Sequence, residues 1–168
     1  NTVGGNDILL TKFDCFGNLV WEKVAGNWDD GDNGIALALD GQGHIYVTGE
    51  IYGGWSTNPI NLFDSIIDTI PGVHGMFLAK LDTSGNFMWG KIAKTSSVGK
   101  KLVIDTNGKI NILFQNGNPD EIFPGVNVVR GHYIGQFDTS GNVEKMILID
   151  ADYCALNDFK ISSSNEFY

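Results

Sequence analysis

Apolar residues in this chain come in short runs, and almost every run ends on Gly, Asn or Asp. Asp7-Ile8-Leu9-Leu10-Thr11-Lys12-Phe13 leads into Asp14-Cys15-Phe16-Gly17-Asn18, and then into Leu19-Val20-Trp21-Glu22-Lys23-Val24. Runs of β-formers bounded by turn residues predict strands joined as hairpins. Further on, Gly34-Ile35-Ala36-Leu37-Ala38-Leu39 turns through Asp40-Gly41-Gln42-Gly43 into His44-Ile45-Tyr46-Val47-Thr48-Gly49. Four strands between residues 5 and 52 predict one antiparallel, meander-like unit. No helical period survives beyond a turn or so. The best stretch, 61–69, has apolar residues at 62, 63, 66 and 67, which a loop packing its own side chains explains equally well.

The unit repeats. Asp-x-x-Gly-Asn recurs at 14–18, 82–86 and 138–142, with Trp21 and Trp89 in matching places and Lys145 near the third. Units 5–52, 75–114 and 131–168 follow, separated by inserts 53–74 and 115–130. Both inserts carry Pro (Pro59, Pro71; Pro119, Pro124). Loops of that length are either functional or tolerated surface excursions. The Gly-Asn pairs are expected to supply positive φ in tight hairpins. A four-stranded sheet has two faces and cannot hide both alone, so copies must pack face to face. Radial stacking gives a β-propeller, which closes with typically 4–8 blades. The expected fold is therefore all-β, a propeller of four-stranded antiparallel blades. Residues 1–168 would form one part of it, about three blades with the ring incomplete. The third unit stops within its fourth strand at Tyr168, and the remaining blades are expected from a larger parent chain.

These residues resemble a known family. Asp7 to Lys12, Phe13-Asp14, Gly17-Asn18, Trp21, Asp29-Asp30, Gly34-Ile35-Ala36, Asp40, Gly43 and Ile45-Tyr46-Val47-Thr48-Gly49 look like the bacterial SBBP-type (seven-bladed-like) β-propeller repeat. The second unit keeps Phe77-Leu78-Ala79-Lys80-Leu81-Asp82 to Trp89, but has Asn111-Ile112-Leu113-Phe114 where the pattern has Tyr-Val-Thr-Gly. The third keeps Phe137-Asp138 to Asn142 and loses the tryptophan. The resemblance implies a secreted or surface-exposed bacterial scaffold used for binding or adhesion. It also implies that the Asp pair at 29–30 caps backbone NH groups.

Charge narrows the partners. Twenty acidic residues against eleven Lys and Arg give a net charge of −9. Nucleic-acid affinity rests on cations neutralising phosphates, so no nucleic-acid partner is expected. No apolar run is long enough for a membrane helix and Asn1-Thr2-Val3 is no signal peptide, so membrane insertion is not expected. Starting without Met, the chain reads as a mature or excised piece. Cys15 and Cys154 occupy non-equivalent positions, and their spacing demands no disulfide.

Candidate chemistry is sparse. Asp29-Asp30-Gly31-Asp32-Asn33-Gly34 offers oxygens to a hard cation such as calcium, yet its spacing misses the Ca²⁺-loop register. Asp29, Asp30 and Asp32 are thus candidate ligands or simply turn caps, and no other cofactor is expected. Trp21 and Trp89 recur in the repeat and read as packing wedges between units. Trp28 and Trp55 lie outside it, among Gly and Asn, where an aromatic serves ligand contact. With them go Asn58 and Asn61 in the first insert, and Asn116, Asn118 and Asp120 in the second, because binding residues concentrate in loops on rigid scaffolds. His44, His74 and His132 form no equivalent set, and no Gly-x-Ser-x-Gly elbow is present. The reading is a non-enzymatic extracellular or cell-surface binding or scaffold module of a larger bacterial protein, with a protein or glycan ligand. The alternatives are a propeller-fold polysaccharide-active hydrolase or lyase, or a plain structural spacer.

Overall fold

The computed structural model describes residues 5–27, 31–53, 59–67, 72, 74–150 and 155–168. The described residues contain fourteen strands and no helix. In chain order these are β1 (Ile8–Phe13), β2 (Leu19–Gly26), β3 (Asn33–Leu39), β4 (Ile45–Tyr52), β5 (Ile60–Leu62), β6 (Ser65–Ile67) and β7 (His74–Leu81). There follow β8 (Phe87–Ile92), β9 (Ser97–Ile104), β10 (Ile110–Asn116), β11 (Asp120–Phe123), β12 (Val126–Val128), β13 (Gly131–Phe137) and β14 (Val143–Asp150).

The chain is all-β, built of four-stranded antiparallel sheets, but the sheets are offset from the sequence units. One sheet has the order β3-β4-β7-β8 and the next β9-β10-β13-β14. Each therefore joins the second half of one sequence unit to the first half of the following one, across the insert. Four strands of a single unit do not share a sheet: β1 and β2 belong to another, extended by the insert strands in the order β1-β2-β5-β6. At the far end, Ile161 bridges Phe167, and Lys160 and Tyr168 exchange both backbone hydrogen bonds at 2.9 Å. That hairpin has the place in its unit that β3–β4 and β9–β10 have in theirs.

Pleating sends alternate residues to opposite faces, and the central strands are buried on both. From the β3-β4-β7-β8 sheet, Ile45, Val47, Phe77, Ala79 and Leu81 pack with Ile8 and Leu10 of β1. Tyr46, Met76 and Leu78 pack the other way, against Leu102, Ile110, Ile112 and Phe114. Beyond them, Leu113 and Ile134 meet Phe159. Three apolar layers thus separate four successive elements. Burial on both faces is why β4, β7 and β10 read as continuous apolar runs rather than alternating ones.

Six turns share one construction. In the first, Gly17 N–H donates to Asp14 C=O at 3.1 Å and Asp14 N–H to Asn18 C=O at 2.9 Å. The Asp14 carboxylate then accepts from the backbone N–H groups of Phe16 and Asn18 and from the Asn18 amide, at 2.8–2.9 Å. Asp82 and Asp138 repeat all three bonds. Asp40 and Asp105 repeat the two backbone ones, and Ser162 Oγ stands in for them in the last turn. Positive φ falls on the glycine alone in the first five turns, between 77° and 85°, and on Asn165 in the sixth. The Asn of the Gly-Asn pair is thus not selected for positive φ, as the sequence suggested. It is selected for the amide that it gives to the Asp.

The tryptophans join one sheet to the next. A β-bulge slips the register at Lys12/Phe13 and again at Lys80/Leu81, setting Trp21 opposite Lys12 and Trp89 opposite Lys80. Each indole then lies on the glycine of the following turn. A Cβ built on Gly85 would stand 3.0 Å from the Trp21 ring, and one on Gly141 2.9 Å from Trp89. Trp89 Nε1 also donates to Thr139 C=O at 3.2 Å. At the first joint the matching carbonyl, Thr83, accepts from Lys12 Nζ at 2.8 Å instead, and the buried Trp21 Nε1 has no hydrogen bond. The recurring phrase Asp-x-x-Gly-Asn is therefore one half of a contact whose other half is the preceding unit's tryptophan.

Candidate functional site

Among the described residues, each insert contributes a packed β-hairpin, β5–β6 from the first and β11–β12 from the second. Residues 60–67, which take in the described part of the best helical stretch (61–69), form β5–β6 with a two-residue turn in which Phe63 and Asp64 have φ of 51° and 71°. Both positive values mark the type I′ geometry that matches strand twist. The four apolar positions suit the hairpin: Leu62 and Phe63 are fully buried while Ile66 points to solvent. Phe63 packs beside Phe77 with ring centroids 6.5 Å apart. The second insert forms β11–β12 around Pro124-Gly125, burying Ile122 and Phe123, the latter edge-on to Phe137 at 5.8 Å. Each hairpin enters the apolar layer beside the sheet whose second and third strands it connects, so both leave from the equivalent end of successive sheets. Sequence carried a signal for this: Asn58-Pro59-Ile60-Asn61-Leu62-Phe63 and Asn118-Pro119-Asp120-Glu121-Ile122-Phe123 repeat Asn-Pro-x-x-apolar-Phe.

The candidate residues divide sharply. Trp28, Asp29, Asp30, Trp55 and Asn58 lie outside the described residues. Their described neighbours adjoin one another: the buried Asp32 carboxylate accepts from Asn27 N–H at 3.0 Å and Tyr52 N–H at 2.8 Å. Asn27 also donates its side-chain amide to Tyr52 C=O, and Tyr52 stacks on His74 with centroids 4.0 Å apart. Asp7 faces the same spot, since a Cβ on Gly26 would stand 2.4 Å from its Oδ1 and 2.9 Å from Asp32 Oδ2. Asp32 thus ties the residue that follows β2 to the end of β4. No cluster of three or more His, Cys, Asp or Glu suited to a metal occurs among the described residues.

Asn116 is fully buried, and its amide spans to Asn118 C=O at 2.5 Å and Val129 C=O at 2.9 Å, which closes the base of the second hairpin. Asn61 is half-buried on β5, opposite Gly26. Of the described residues named for ligand contact, Asn118 and Asp120 are open to solvent, Asp120 at the start of β11. The exposed faces of the hairpins add Asp64, Ile66 and Asn127.

One titratable cluster resembles catalytic machinery. His44 Nδ1 lies 2.7 Å from Asp40 Oδ2, and the Tyr46 hydroxyl donates to the same oxygen at 3.3 Å. Burial pushes the Tyr46 phenol up to about 12, with the Asp40 charge adding to it. For Asp40 burial works upward, but the His44 and backbone hydrogen bonds outweigh it and hold the carboxyl below its usual range. No hydroxyl or thiol nucleophile is hydrogen-bonded to His44 among the described residues. The same frame recurs at Asp105 with Asn111 and Lys109, so it is a turn variant in origin.

No protein-family model matches the chain, and no curated protein matches it either.

Proposed function

We propose that the chain is a segment of a β-propeller of SBBP-type repeats, and that it acts as a non-enzymatic binding or scaffold module of a larger secreted or cell-surface bacterial protein. The supporting observation is the pair of packed hairpins at the equivalent end of two successive sheets. A doubly buried sheet is a rigid base, and elements displayed on such a base are where binding residues concentrate. The ligand is a protein or a glycan, met by the exposed positions Asp64, Ile66, Asp120 and Asn127 together with Trp28, Trp55 and Asn58. Calcium at Asp29, Asp30 and Asp32 would order that rim. The parent chain supplies the remaining blades.

The test is a glycan array and a surface-protein pull-down with the folded chain, compared with an Ile66→Asp/Asn127→Asp variant. These two positions are exposed, so the variant keeps its fold, checked by circular dichroism. Binding that the variant loses supports the reading. Binding that it retains removes the hairpins from the account, and polysaccharide turnover by the parent protein would replace a binding module with an enzyme.

A further inference from the structure

Strands β3 and β9 each form one end of a four-stranded sheet, and each carries a bulge at the same place. Gly34 pairs with Gly49 and Ala36 with Thr48, which leaves Ile35 as the extra residue. Gly99 pairs with Phe114 and Lys101 with Leu113, which leaves Lys100 in the matching position. Counted back from the turn residues Asp40, Asp105 and Ser162, the third copy of this position is Asn157. A bulge re-aims a side chain, and bulges gather beside functional sites. Here the bulge is anchored by the glycine before it, which lies hard against the preceding sheet. A Cβ on Gly34 would stand 2.8 Å from Ile8 Cγ2, and one on Gly99 2.2 Å from Thr48 Oγ1.

The three positions meet in one cavity. It has a volume of about 450 Å³, and its lining includes Ile35 and Ala36, Lys100 and Lys101, and Asn157 and Asp158. That is the size of a small-ligand site. The lining changes from strand to strand: apolar on the first, cationic on the second, amide and carboxylate on the third. Lys101 Nζ pairs with Asp158 Oδ1 at 3.1 Å. Lys100 is half-buried and makes no hydrogen bond or ion pair among the described residues. In a chain of net charge −9, an uncompensated lysine beside a cavity favours an anionic guest. Strand β3 begins opposite the end of β4, and β9 opposite the end of β10, so the cavity lies toward the end of the sheets from which the hairpins leave.

We infer that this cavity binds a carboxylate-bearing sugar, with the carboxylate on Lys100, hydroxyls on Asn157 and Asp158, and an apolar ring face on Ile35. The inference rests on the proposed binding function and narrows its ligand to an acidic glycan. It also rests on the propeller reading, in which the end strands of successive sheets face a common axis. Further blades of the parent chain then close a ring around the cavity rather than fill it. The three kinds of lining select the ligand together. A bare anion uses the lysine alone, and a neutral sugar leaves the lysine unpaired. A uronate has the charge, the apolar C–H face, and hydroxyls that both donate and accept, as an amide beside a carboxylate requires.

The test is calorimetric titration of the full-length protein with digalacturonate and cellobiouronate, each beside its neutral counterpart. At least one acid should bind about tenfold or more tightly than its neutral counterpart, the worth of one charge-assisted hydrogen bond. Lys100→Met should remove that preference and Lys100→Arg keep it, both with unchanged circular dichroism. Lys145→Met, at an exposed lysine of β14, should leave it intact. Equal loss in Lys145→Met assigns the preference to general charge and overturns the inference. Wild-type protein that binds neither acid also overturns it. If the glycan array or the pull-down still finds a ligand, the binding reading survives that result; if neither does, both fall. Loss confined to the Ile66→Asp/Asn127→Asp variant places the sugar on the hairpins, which supports the binding reading and overturns this one.

Discussion

Replacing Gly141 by alanine separates two costs that usually come together. The residue has φ +80°, so an alanine there pays the left-handed penalty of about 1–2 kcal/mol. Part of that, about 0.4–1 kcal/mol, is offset because alanine restricts the unfolded chain. The new methyl would also stand 2.9 Å from Trp89 Cζ3 and from Lys91 Cε. Lys91 is flexible and moves, but the indole is wedged between sheets, and overpacking of that kind costs about 1–3 kcal/mol more. Gly108 is the internal control: its φ is +77° and nothing lies within 4 Å of its Cβ position. Urea unfolding at one protein concentration should therefore show Gly141→Ala losing about 2–4 kcal/mol and Gly108→Ala only about 0.5–1.5 kcal/mol. Adding Trp89→Leu to Gly141→Ala should recover part of the difference as positive coupling. Equal losses for the two glycine variants would refute the tryptophan joint, because backbone strain alone would then explain both.

Two further predictions concern pH. His132 is buried with neither ring nitrogen hydrogen-bonded, and burial holds its pKa below the ordinary value, with Lys100 acting in the same direction and Asp150 against it. The folded chain then binds fewer protons than the unfolded one. Stability is full above about pH 6.5 and falls as pH drops through that value, by at most about 1.4 kcal/mol per pH unit. His132→Met, which installs the residue found at the equivalent Met76, should flatten that slope in urea titrations between pH 7 and 5; an unchanged slope would assign it to another group. Asp138 is held below the usual carboxylate range by the backbone and side-chain hydrogen bonds of Asn142. Its contribution is present above about pH 4 and lost as pH falls through its lowered folded value. Asp138→Asn should cost about 1 kcal/mol at neutral pH and make the acid limb shallower, whereas an identical acid limb would remove the turn carboxylate from the account.

Strands and turns were legible in the sequence because a hairpin writes its signal locally. Gly17, Gly85 and Gly141 mark chain reversals wherever the rest of the molecule lies. Which strands share a sheet was not legible in the same way. The repeat begins at Asp7 and reads as one unit to Tyr52, yet the hydrogen bonds of β4 run to β7, across an insert that looks like an interruption. Sequence order favours the near neighbour, but pairing β4 with β7 buries Tyr46 with Met76 and Leu78 on one face, and the far neighbour wins. The inserts are hidden from the sequence for a related reason. Pro and Asn suggest open loops, but Leu62, Phe63, Ile122 and Phe123 are core residues, and pairing one insert against the other would have shown it. Asn116 looked like a loop amide free for a ligand, and its partners turned out to be the carbonyls of its own hairpin base.

The central claim is that each sheet is completed across a unit boundary, and a cross-link reads it most directly. In the register of β4 on β7, Ile45 faces Leu81. Opposed residues in an antiparallel pair stand about 4.5–5.5 Å apart at Cα, within disulfide reach. In a Cys15→Ser/Cys154→Ser background, Ile45→Cys/Leu81→Cys should form an intramolecular disulfide in high yield under mild oxidation. Leu39→Cys/Leu81→Cys, whose residues lie two strands apart in the same sheet, should form little. An Ile45/Leu81 yield no greater than the Leu39/Leu81 yield would contradict the shared sheet.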